Sequence, residues 1–297
     1  MLAFFPAMRI CADAISDLAY SALAGVLLNR LWLGRSESCE RPLRSSLRFC
    51  STVLIIVLPL QYLLLSASMI GDTGWTDAWN AARDVGATHS GRAMVASFCF
   101  VPCLLFFSML TFPLKRIRSV LIGLALEAGF IACRAFNGHA ASEGDFTLRE
   151  GVQFLHLCAI ATWGGGILVA GWITVPRLAS YAGFDSLVRF GKRLSATVSF
   201  ALVGVILTGI YNSWKGLNGS LSPLVISGWG RMLLLKLFFV SLALLHGIRV
   251  RLLQRESTPW TLSRATLMRH WLRTEALFMF VALTCSAWLA HLPPAEM

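Results

Sequence analysis

Apolar residues along this chain come in long unbroken runs, and charged residues gather in the short stretches between them. Eight runs, roughly 12–34, 49–70, 92–112, 119–137, 151–176, 194–213, 231–249 and 272–291, approach the length of about 20 residues that a helix needs to cross a hydrocarbon core. Backbone polar groups cannot be left unpaired in lipid, and the runs lack the alternation of barrel strands, so they are expected to be helices. The first run is the weakest, because Asp13 and Asp17 fall in its opening turns. The pattern predicts an all-α, polytopic integral membrane protein of about eight transmembrane helices.

Composition agrees. Of 297 residues, 56% are hydrophobic and 14% charged, against about a quarter charged in a soluble domain. A net charge of +11 would suggest nucleic acid in a soluble protein. Here the basic residues sit in short loops, which fits membrane topology and argues against nucleic-acid binding. The stretches around 30–48, 115–118, 177–193 and 249–273 hold 18 of the 26 Lys and Arg residues, all on one side of the eight-helix arrangement. The positive-inside rule makes that side cytoplasmic. Both termini and the loops near 71–91, 138–150 and 214–230 are then expected to be periplasmic, in a bacterial inner membrane. The opening residues lack a basic region leading into an apolar core and a small-residue cleavage site, so no cleaved signal peptide is expected. Eight cysteines could form four disulfides, yet Cys99, Cys103, Cys133, Cys158 and Cys285 lie within apolar runs, and no secreted-type framework is visible.

A faint internal repeat is legible. Shifting the chain by 139 residues places Gly25 on Gly164, Gly91-Arg92 on Gly230-Arg231 and Asp17 on His156. A four-helix step preserves direction, so this would be a parallel 4+4 repeat about an axis along the membrane normal. It divides the chain into an N-terminal half, 1–137, and a C-terminal half, 138–297.

Polar side chains inside a bilayer cost several kcal/mol, so where they gather is informative. His89, His139, His156 and His291 all fall at or near the periplasmic ends of predicted helices, whereas His246 and His270 lie toward the cytoplasm. Glu150, Gln153, His156 and Trp163 share one face of the fifth helix, and His89, Arg92, Cys99 and Cys103 form a stripe on the third. Imidazole suits Cu(II), Zn(II) and haem iron, and thiolate and thioether suit Cu(I). A histidine mouth over sulfur would fit copper entering from the periplasm. Each piece also has a plain structural reading: cysteine is a common small core residue, and His291 could be a ligand or an end cap. Of the deeper charges, Arg134 can snorkel outward. Glu127, near the centre of helix four, is expected to pair with Lys236 of helix seven, and Glu275 with Arg273 or Arg249 at the cytoplasmic face.

Three segments then carry a likeness. They are Gly138-His139-Ala140 with Leu155-His156-Leu157 and Trp163-Gly164-Gly165-Gly166; Arg189-Phe190, Thr208-Gly209 and the run Gly230 to Leu237; and Glu275 with the closing Pro293-Pro294. In order and spacing the chain resembles the copper-resistance protein D (CopD) family, continuously from about 138 to 294. Before that the likeness is thinner, resting on Thr88-His89-Ser90-Gly91-Arg92. The resemblance implies a membrane protein that moves copper from periplasm toward cytoplasm, often beside a periplasmic copper-binding partner of the CopC type. It implies His89, His139 and His156 as the matching histidine positions. No CopC-like domain and no Met-rich loop is present, which leaves the copper oxidation state open.

No phosphate-binding loop and no Asp-Lys-Thr-Gly segment occurs, so nucleotide-driven pumping is not expected, nor is enzyme activity. Two rivals stand beside copper transport. A haem protein would use two histidines as axial ligands and show a Soret band. A non-transporting partner of a periplasmic copper chaperone would need its periplasmic loops but not its intramembrane sulfurs or Glu127.

Overall fold

The computed structural model describes residues 4–33, 37–109, 116–137, 147–181, 183–255 and 259–293, and among them every regular element is a helix. In chain order these are α1 (Phe4–Trp32), α2 (Glu37–Met69), α3 (Trp75–Gly86), α4 (His89–Met109), α5 (Arg116–Ala135), α6 (Leu148–Tyr181), α7 (Phe184–Gly216), α8 (Pro223–Ile226), α9 (Gly228–Arg255) and α10 (Leu262–Leu289). Seven of them are long and apolar enough to cross a membrane. The eighth expected span is α5, whose 20 residues would rise about 30 Å. It carries Arg118, Glu127 and Arg134, and it packs against α1, α4 and α6. The long helices reach well past the apolar runs, because arginine-rich turns continue the helix beyond the hydrocarbon layer, as at α10, which begins ten residues before the predicted 272.

α1 and α6 are the most enclosed of the seven spans and cross each other at the middle of the bundle. The crossing is backbone on backbone. A Cβ on Gly25 would strike the Gly165 carbonyl, and a Cβ on Gly165 would strike the carbonyl of Ser21. Near this contact, α6 widens into π turns at Ala161–Gly165 and Ala170–Thr174. Side-chain donors reach carbonyls along this stretch. The Asn29 amide donates to Gly25 O at 2.7 Å and Gly166 O at 3.2 Å, while its oxygen accepts from Thr174 Oγ1 at 2.8 Å. Arg273 Nε donates to Gly171 O at 3.1 Å.

The short helices α3 and α8 were not anticipated. Each precedes a membrane span, and the same turn joins them 139 residues apart. Thr88 Oγ1 donates to Val85 O and accepts from the Gly91 N–H; Ser227 Oγ donates to Pro223 O and accepts from the Gly230 N–H. Both glycines lie against backbone, Gly91 against Val85 and Gly230 against Pro223 and Leu224. The packing follows the same plan, since α5 contacts α6 and α10 contacts α1 around the central pair. His291, just past α10, bonds Asp13 near the start of α1, so both chain ends lie at one end of the bundle, called here the terminal end. The opposite end carries the arginine-rich turns.

Candidate functional site

Two polar clusters form near the terminal end, on different helices. The first joins α1, α2, α5 and the residue after α10. Arg134 Nη2 lies 3.3 Å from Asp13 Oδ1, and its Nε lies 3.4 Å from Asp17 Oδ1. Gln61 Nε2 donates to Asp13 Oδ1 at 2.6 Å, and His291 Nε2 is 2.8 Å from Asp13 Oδ2. Arg134 therefore turns inward to two carboxylates instead of snorkelling outward. Beside it, a narrow cleft lined by Gln61, Met94, Ser97, Cys133, Arg134 and Asn137 has room for about one water-sized molecule.

The second cluster is built on α6. Thr147 caps the helix by accepting from the Glu150 N–H, and Glu150 Oε2 accepts the Thr147 N–H in return. The other oxygen, Oε1, lies 3.0 Å from His89 Nε2 at the head of α4. Further along the stripe, Gln153 Oε1 accepts from Asn212 Nδ2 at 2.9 Å. His156 is buried, and its Nδ1 lies 2.8 Å from Thr208 Oγ1 on α7. Trp163 Nε1 donates to Glu275 Oε1 on α10 at 3.0 Å. The stripe expected on this helix thus fans out to three neighbouring helices.

The His156 bond has a direction. The Thr208 hydroxyl donates to Gly204 O, so Oγ1 acts as the acceptor and the ring hydrogen sits on Nδ1. The Nε2 lone pair is then the imidazole's coordinating face. His156 lies six residues beyond Glu150, about 9 Å deeper along α6. Asp17 and His156 are both within electrostatic reach of Lys236 on α9.

Several expectations need correction. Cys99 and Cys103 are exposed on the outer face of α4, so they do not line an interior; Met94, Ser97, Val101 and Leu104 occupy the inward face instead. Glu127 does not bond Lys236. Its carboxyl is buried with no side chain bonded to either oxygen among the described residues, and Lys236 sits near Asp17 and Cys285. Glu275 is a mid-helix residue held by Trp163, while Arg273 goes to Gly171 O and stacks over Trp172. Among the described residues, no three His, Cys, Asp or Glu side chains stand close enough to hold a metal ion. His139 lies outside the described residues. Sequence reasoning missed Gln61, although it is an isolated amide in an apolar run, and missed the role of Thr208, four residues after Gly204.

Residues 188–289 match the family model described as Copper resistance protein D, and residues 1–148 match Copper resistance protein D-like, N-terminal domain. No curated protein and no solved structure matches the chain. With both matches lying on one all-helical, membrane-crossing chain, this protein belongs to the copper-resistance protein D family.

Proposed function

We propose that this chain moves copper ions across the bacterial inner membrane, from periplasm toward cytoplasm. The arginine-rich end is cytoplasmic by the positive-inside rule, so the terminal end with its histidines opens to the periplasm. The observation that carries the reading is the Thr208–His156 bond, which occupies Nδ1 of a buried ring and leaves the Nε2 lone pair for a ligand. A metal-binding histidine is typically fixed in this way through its other nitrogen. Nearer the mouth, His89 with Glu150 and His291 with Asp13 are imidazole–carboxylate pairs, which fix the orientation of the rings. The copper would be handed over by a periplasmic copper-binding protein of the CopC type.

Uptake of radioactive copper into oriented vesicles tests the reading. His156→Ala should lower the rate at least ~10-fold, and Thr208→Val, which leaves the ring but frees its tautomer, about 10-fold. Uptake that stays at the wild-type rate in both variants would end the assignment.

A further inference from the structure

Glu127 sits near the middle of α5, is 2% exposed, and faces the backbone of Ala24 on α1. No side chain among the described residues bonds either of its oxygens, and the Ala24 backbone is the polar group beside them. Around it, α1 presents Tyr20, whose hydroxyl is buried and likewise unbonded; α2 presents Cys50 and α6 presents Cys158, all within electrostatic reach. On the α4 side, His89 meets Phe136 just past α5, and the exposed Cys99 is within electrostatic reach of Cys133, six residues along α5 from Glu127. Arg134 is committed to Asp13 and Asp17.

The second set of four spans shows what a purely structural carboxyl looks like in this fold. Glu275 on α10 is equally buried, but its Oε1 accepts from the Trp163 indole. Trp163 is the residue 139 positions after Ala24, the spacing at which the Thr88 and Ser227 turns recur. The last span of each set thus points one glutamate at the same position of that set's first span. In one set a tryptophan meets it. In the other an alanine leaves it open.

A carboxyl group this deep persists only with a proton on it or a cation beside it. The protein supplies no fixed cation within ion-pair distance of Glu127 among the described residues, so the counter-charge must be mobile. We propose that Glu127 is a mid-membrane exchange site, where a soft monovalent cation displaces the carboxyl proton. The O–H bond breaks as the cation–oxygen contact forms, one proton leaves for each cation that arrives, and the net charge of the pocket is unchanged. A divalent ion would leave one positive charge uncompensated if the thiols stay neutral. Cys50 and Cys158 favour a soft ion such as Cu(I). These groups do not converge as a preformed metal site at rest, which suits a point of transit over a store. The identity of the cation rests on the copper reading above; the exchange itself does not.

Infrared difference spectroscopy on the full chain in lipid nanodiscs tests this, with Ag(I) as a redox-inert soft monovalent probe and bound silver quantified in the same samples. Addition of Ag(I) should remove a protonated-carboxyl C=O band in the wild type and in Glu275→Gln. Glu127→Gln should lack that change, and Glu127→Asp should show it at a shifted frequency, which keeps the assignment open to test should the Gln variant not fold. The proposal is overturned if the band change survives unshifted in both Glu127 variants. It is also overturned if silver binds the wild type with no carboxyl change, an outcome that leaves the copper-uptake reading standing. Failure of silver to bind at all would overturn the exchange site, and would leave the copper-uptake reading to the His156 and Thr208 variants.

Discussion

Arg134→Leu will fail to yield stable protein. The guanidinium is the shared counter-charge of Asp17, which is buried on α1, and Asp13, which is half-buried and bridged further to Gln61 and His291. Removing it takes away the guanidinium that pairs with both carboxylates, and breaking a buried ion pair in this way costs about 3–5 kcal/mol. The loss spreads beyond one pair, because this cluster ties α1, α2, α5 and the end of α10 together. Arg134→Lys should rescue only part of the stability, since a single ammonium cannot serve two carboxylates through a planar fork. Thermal unfolding in detergent, followed by size-exclusion fluorescence, checks this. A Leu variant that melts with the wild type would mean that the cluster does not hold the helices.

Gly165→Ala should be comparably damaging, by packing alone. The added Cβ would overlap the backbone carbonyl of Ser21, which has no rotamer with which to move aside. Overpacking usually costs 1–3 kcal/mol, and a clash with backbone at the central crossing should reach at least ~3 kcal/mol. Gly151→Ala, on the same helix, is the control. Nothing lies within 4 Å of a Cβ there, so it should stabilise by about 0.5–1 kcal/mol through helix propensity. Equal stability of the two variants would show that α1 and α6 do not meet as closely as described.

The spans were legible because lipid imposes one rule, a run of apolar residues about 20 long, and the chain obeys it. The face a span turns inward was less legible. Spacing places Cys99 and Cys103 on one stripe of α4, but both sides of a membrane helix are apolar, so spacing does not say which stripe meets lipid. Arg134 and Glu127 were misassigned for a related reason. Sequence gives depth along a helix but not azimuth, and Arg134, turned inward, meets Asp17 on α1 while Lys236 on α9 lies near the same aspartate. α8, at 4 residues, is too short for periodicity to stand out, whereas α3 is amphipathic over its 12 residues but lies between apolar runs that drew the reading to the spans. The 139-residue shift was visible as glycines; its physical content, a hydroxyl bonding a carbonyl behind and an N–H ahead, lies in the turns at Thr88 and Ser227. The family likeness, read most strongly over 138–294, is matched over 1–148 and 188–289, so the N-terminal part carries more of it than its motifs suggested.

Copper K-edge X-ray absorption on the purified chain, loaded with Cu(I) at a single equivalent, addresses the His156 ligand itself. The wild type should show the multiple-scattering pattern of a coordinated imidazole, and His156→Ala should lose that pattern along with most of its bound copper. An identical spectrum and copper content in the two proteins would contradict the assignment, because His156 Nε2 would then have no part in holding the ion.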